Sequence, residues 1–170
     1  MRTILINLIL LILLGVNASS CQTKKQVNKD TDNWRYEIEA VNTGIQGTYL
    51  IKVWSYSAKP EVAIEQAKKN AVHGIIFKGF AGKQGIPGQN PLATNSSIEK
   101  EKSSFFNEFF MDGGKYMKYV NLSNDGSVAA EDRLRIGREY KIGVLVSVNV
   151  TQLRKFLEDE RIIKSLSSGF

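Results

Sequence analysis

Cysteine and histidine are almost absent from this chain. Cys21 and His73 are the only examples among 170 residues. A disulfide within the chain is therefore impossible, and a zinc site built from Cys and His ligands is ruled out. Any Ser-His-Asp or Cys-His arrangement would have to run through His73 alone. A strong excess of one sign of charge is also lacking. Lys and Arg total 23 against 17 Asp and Glu, a formal net charge of +6. That excess is too mild and too dispersed to argue for nucleic acid. Long hydrophobic runs are missing too. Ile4 to Leu14 is apolar apart from Asn7, which is short of the about 20 residues that a permanent membrane-spanning helix needs. Gly82-Lys83 is not a phosphate-binding loop, because Phe77 stands where its first glycine belongs and Gln84 where Ser or Thr belongs. Asn124-Asp125-Gly126 lacks the further ligands and distal Glu of a calcium loop.

What is present begins with an address. Arg2 supplies a positive start, Ile4 to Leu14 an apolar core, and Ala18, Ser19 and Ser20 a small-residue boundary. Residues 1–20 are thus predicted to be a signal peptide. Ala18-Ser19-Ser20-Cys21 resembles the lipobox of bacterial lipoproteins, with Ala18 where leucine or valine is usual. That resemblance implies cleavage before Cys21 and lipidation of it, palmitate included, with the acyl chains as a membrane anchor. Gln22 follows the cysteine. Aspartate at that place is a common inner-membrane retention signal, so the resemblance implies an outer-membrane lipoprotein facing the periplasm. The chain after residue 20 carries 22 basic and 17 acidic residues, a net +5. Such an excess favours an anionic surface such as lipid headgroups or a cell-wall polymer. Residues 22–33 are polar without an apolar period and read, with Cys21, as a tether over 21–33.

A single domain is expected over 34–166, with a frayed tail at 167–170. Trp34, Tyr36, Ile38 and Ala40 alternate with Arg35, Glu37 and Glu39, which predicts a half-buried strand. Thr48 to Ser57 predicts its hairpin partner, with Tyr49, Ile51 and Val53 on one face and Leu50, Lys52, Trp54 and Tyr56 on the other. Pro60 suits a helix start, and Ala63, Ala67 and Ala71 form a small-residue stripe on a helix running to about Phe77. Lys78 to Ser97 reads as a long glycine-rich loop, either functional or a disordered insertion. Ile98 to Asp112 predicts a second helix with the pairs Phe105/Phe109 and Phe106/Phe110, stopped by Gly113-Gly114. Lys115 to Leu122 returns to strand character, and 127–136 reads either as a helical turn or as part of a hairpin loop. Tyr140, Ile142, Val144, Val146 and Val148 predict the clearest strand, and Thr151 is placed as the N-cap of a last helix. The order β-β-α-α-β-β-α predicts an α+β fold, an antiparallel sheet covered on one face by helices.

No catalytic constellation emerges. His73 shares a helix face with Gln66 and Lys69 and reads as an exposed helix histidine. Glu37/Glu39 and Glu158/Asp159/Glu160 read as solvated carboxylates, without the apolar setting that acid catalysis needs. No metal and no cofactor is implied.

The hairpin, the Ala63/Ala67/Ala71 stripe and the run Val144-Leu145-Val146-Ser147-Val148-Asn149-Val150 leading to Leu153 resemble the small envelope domains of the LPP20 and FlgT N-terminal flagellar-assembly group. They are similar also to lipoproteins of Bacteroidetes bacteria. The resemblance covers about residues 34 to 160 and implies envelope scaffolding or assembly without catalysis. The expected function is therefore a lipid-anchored lipoprotein that binds another envelope component, with protein the expected partner. Trp54, Tyr56, Phe80 and Lys83 are the candidate binding residues. The alternative is a glycan- or small-molecule-binding lipoprotein that uses the glycine-rich loop 78–98. A hydrolase working through two carboxylates in a cleft is a third possibility.

Overall fold

A computed structural model describes residues 34–165, apart from Gln46 and Gln84. The expected signal peptide, Cys21, the tether and the tail at 167–170 lie outside the described residues. The sheet has five strands: β1 (Tyr36–Thr43), β2 (Thr48–Ser57), β3 (Val120–Leu122), β4 (Arg133–Ile136) and β5 (Glu139–Asn149). The helices are α1 (Pro60–Phe77), α2 (Ile98–Glu101), α3 (Ser103–Phe109) and α4 (Val150–Asp159). All strand pairs are antiparallel. The sequence-based fold class holds: an α+β arrangement with the helices on one face of the sheet.

The order across the sheet is β1-β2-β5, and β5 meets two short strands along its outer side. β3 pairs with Val146–Val148, and β4 pairs with Glu139–Ile142 at the other end. The alternation of β2 and β5 fixes which face is buried. Ile51 and Val53 of β2 and Ile142, Val144, Val146 and Val148 of β5 are inaccessible to solvent. Pro60 opens α1, as its fixed φ and missing N–H allow. Ala63, Ala67 and Ala71 are fully buried, and their small side chains let the helix lie close on the valine rows. Phe106, Phe109, Leu153 and Leu157 extend the same core. Phe109 stacks on Phe156 with 5.7 Å between ring centres, which ties α3 to α4.

Several finer expectations are corrected. The helix predicted over 98–112 breaks at Lys102 and ends at Phe109. Between Ile98 and Phe105 the sequence offers no apolar side chain to hold a continuous helix on the core. The strand predicted from Lys115 begins only at Val120. Lys115–Tyr119 is a 3-10 turn whose Tyr116, Tyr119 and Val120 follow a helical spacing. At 127–136 a 3-10 turn (Ala130–Asp132) leads into β4, a strand additional to the predicted order. The last helix is capped by Asn149, whose Oδ1 accepts from the Gln152 N–H at 3.0 Å, and not by Thr151.

The glycine-rich loop is ordered by its own backbone. Phe80 pairs with Gln89, and Lys83 pairs with Ile86. Gly79 takes φ +66°, and a side chain there would meet the Gln89 carbonyl at 2.3 Å. Leu92 and Ala93 donate to the carbonyls of Ile75 and Ile76, so the loop closes over the end of α1. The disordered-insertion reading is therefore set aside.

Candidate functional site

Two features of the fold carry chemistry. The first is the sheet face that the helices leave uncovered. Residues of β1 and β2 that alternate away from the core place Glu37, Glu39, Lys52, Trp54 and Tyr56 there, and Arg35, just before β1, lies over Tyr56. Had the helices lain on this face, Trp54 and Tyr56 would be core residues. They lie on the opposite one, where Ser55 is buried and accepts from the Asn70 amide at 2.8 Å.

The two aromatic rings are held by carboxylates across the hairpin. Trp54 Nε1–H donates to Glu39 at 2.6 Å, and the Tyr56 hydroxyl donates to Glu37 at 2.5 Å. Lys141 of β5 donates to Glu37 at 2.8 Å and stands 5.0 Å from the Trp54 ring centre. Arg35 lies 4.2 Å over the Tyr56 ring and pairs with Glu139. Lys141, and then Tyr56, hold the Glu37 carboxyl below the usual range. The same Glu37 bond raises Lys141. Each exposed ion pair contributes at most about 1 kcal/mol. Together they fix the orientation of two large rings on an accessible surface.

The four residues expected from sequence are only partly brought together. Lys83 reaches across to Glu39 at 3.6 Å, and so joins Trp54 and Tyr56 at this face. Phe80 does not. It packs edge-on against Tyr49, with ring centres 5.4 Å apart, beside the core.

The second feature was not legible in the sequence. His73 is buried rather than exposed, with 3% of its surface accessible. Gln66 and Lys69, which share its helix face, are equally buried. Polar residues had marked that face as solvated, but Trp34 and Phe110 close over it. The His73 ring stacks on Trp34 at 3.6 Å and contacts Phe77 and Phe110. Its nitrogens join Tyr36 and Glu99. The Tyr36 hydroxyl lies 2.6 Å from Nδ1, and Glu99 lies 3.1 Å from Nε2.

A carboxylate only accepts, so Nε2 carries the proton toward Glu99 and Nδ1 accepts from Tyr36. Burial, then the charge of Lys78, brings His73 down to about 3. Burial, then the Glu99 charge, raises the Tyr36 phenol well above its usual range and keeps it a donor. Burial also raises Glu99, which accepts from the Trp34 indole as well. This hydrogen-bonded line ends in a groove of about 840 Å³ lined by Trp34, Lys69, Ser97, Glu99, Ser103 and Phe110. Lys69 is buried there and stands 3.4 Å from Asp112. Aromatic walls with a few convergent polar groups are what small polar ligands require. The sequence signal for this feature is slight: Trp34 and Tyr36 alternate onto the core face, opposite the face of α1 that carries His73.

Among the described residues no helix is long and apolar enough to cross a membrane. Comparison with protein-family models, curated proteins and solved structures finds no match to this chain.

Proposed function

We propose that this protein is a lipid-anchored, non-catalytic lipoprotein of a bacterial cell envelope, acylated on Cys21 and held at the outer membrane facing the periplasm. Its open sheet face binds a protein component of that envelope. The observation that carries the reading is the fixing of Trp54 and Tyr56 on an uncovered face by Glu39, Glu37 and Lys141. Rigid aromatic anchors beside charges of both signs suit a protein surface of mixed charge, because hot spots are rich in Trp, Tyr and Arg. The resemblance of Ala18–Cys21 to a lipobox supports the anchor.

Two measurements test it. Labelling with a palmitate analogue should mark the wild type, found in the outer-membrane fraction, and not Cys21→Ala. Photo-crosslinkers placed at Trp54 and Tyr56 in intact cells should recover one recurring protein. Crosslinks to lipid alone, or to no repeated partner, would remove the docking role. Absence of label would remove the anchor.

A second reading, the binding of a glycan or small polar molecule, is favoured by the groove at Glu99. Loop 78–98 would contribute to it only through its end, at Ser96 and Ser97. Trp34 and Trp54 are the only tryptophans, so Trp54→Phe leaves a fluorophore in the groove alone. Titration of that variant with soluble cell-wall fragments should change its emission saturably. A flat titration would dismiss the reading.

A further inference from the structure

We infer that the β4–β5 hairpin is a second, electrostatic contact with an anionic phospholipid surface. Its turn is Gly137-Arg138, between the paired residues Ile136 and Glu139. All four residues of β4 are exposed. The strand alternates Arg133 and Arg135 with Leu134 and Ile136, and Arg138 follows in the turn. Leu134 is 44% and Ile136 51% exposed, two aliphatic side chains on the same side of the strand.

Their pairing separates the two kinds. Arg133 and Arg135 stand opposite Ile142 and Tyr140, on the helix side of the sheet. Leu134 and Ile136 stand opposite Lys141 and Glu139, on the open side. None of the three arginines makes an ion pair with a carboxylate among the described residues. On the open face the cations are matched: Lys52 with Asp132, Lys141 with Glu37, Arg35 with Glu139. The hairpin, at the edge of the sheet, thus carries unmatched positive charge on one side and exposed aliphatic side chains on the other, and an edge-on contact presents both. That combination fits an interface in which phosphates meet guanidinium groups and aliphatic side chains enter the headgroup boundary.

Where the chain enters the fold points to the same partner. Tyr36 opens β1 opposite Ser55, near the end of β2, and Ser57 lies opposite Tyr140 near the start of β5. The ion pair of Arg35 with Glu139 puts the entry point beside the hairpin. Residues 21–33 could span at most about 45 Å. If Cys21 is anchored, the entry point beside the hairpin lets the hairpin reach the same surface. Two weak membrane signals together hold a protein far better than one. The hairpin's affinity does not itself depend on acylation, so it can be tested apart from the anchor.

The test uses the chain from residue 21 onward with Cys21→Ser, which carries no acyl chain and retains all of the described fold. It is sedimented at low salt with vesicles of equal parts phosphatidylcholine and phosphatidylglycerol, and with vesicles of phosphatidylcholine alone. Binding is expected only to the anionic vesicles and should weaken with salt. Each arginine near such a surface strengthens binding about fivefold, so R133A/R135A/R138A should lose on the order of a hundredfold. R133K/R135K/R138K should retain most of the binding, and L134S/I136S should lose part of it. Arg138→Glu, in the turn, provides a variant with no packing at stake. Wild-type binding that ignores phosphatidylglycerol, or persists undiminished in both R133A/R135A/R138A and Arg138→Glu, would overturn the inference. So would failure of the wild type to bind the anionic vesicles, and in-cell crosslinks from Arg135 to an acidic protein would then assign the hairpin to that protein instead.

Discussion

Trp54 lies against Gly143 of the neighbouring strand, where a Cβ on the glycine would stand 3.0 Å from the indole ring carbons. The two residues face each other in the β2–β5 register. The absence of a side chain at 143 lets the indole lie close to the sheet, with its N–H on Glu39. Gly143→Val should lift the ring, break the Glu39 bond and cost about 1–3 kcal/mol through overpacking. A red-shifted tryptophan emission and a lower urea midpoint would confirm this. An unchanged spectrum would mean that Trp54 is not held by the glycine.

The buried imidazole makes stability depend on pH. Folded His73 takes up its proton only near pH 3, whereas an unfolded histidine does so near about 6.5. Between these values the unfolded chain binds more protons, so His73 makes stability fall as pH drops from 6.5 toward 3. The slope from this group is at most about 1.4 kcal/mol per pH unit. Glu99, raised by burial, acts in the opposite sense as its carboxyl protonates. His73→Phe keeps a ring against Trp34 and removes the titration. Urea midpoints at pH 7 and 5 should fall less in the variant than in wild type, and parallel falls would assign the acid sensitivity elsewhere.

Phe109 joins two of the outer helices to the core. It is 1% exposed and touches Phe105, Phe110, Tyr119 and Phe156. Phe109→Ala should cost about 3–5 kcal/mol. Thermal unfolding followed by circular dichroism should show a markedly lower midpoint. A change of only a degree or two would mean that the aromatic cluster is dispensable.

Replacing the cap of α4 is a smaller and more local test. Asn149→Ala removes the acceptor of the Gln152 N–H and should cost about 1 kcal/mol. Thr151→Ala should cost less by this mechanism. If Thr151→Ala proves the more harmful, the cap assignment is wrong.

Much of the architecture was readable because alternation survives in the long strands. β1, β2 and β5 each carry enough residues for the buried set to stand out, and Pro60 with the alanine stripe marks α1. The same alternation correctly put Trp54 and Tyr56 away from Tyr49, Ile51 and Val53. β4 escaped notice because Arg133–Ile136 buries nothing and is a strand only through its pairing with β5. His73 was misread because a polar helix face suggests solvent, while aromatic residues far away in sequence decide whether solvent reaches it. Trp34 and Phe110 are 76 positions apart in sequence, and no local pattern announces that they meet above α1.

The position of β5 in the sheet has a consequence for the chain's production. β2 finds its second partner only when residues 140–149 are available, about 90 positions later in the sequence. Until then its inner side chains have no neighbouring strand on that side, and α1 has only part of the sheet to cover. A chain emerging from a ribosome or a translocation channel thus remains unable to complete its core until almost all of it has been delivered. Long-range pairing of this kind slows folding, which is compatible with the proposed export. Products ending before Asn149 should lack a stable core and be removed by proteases.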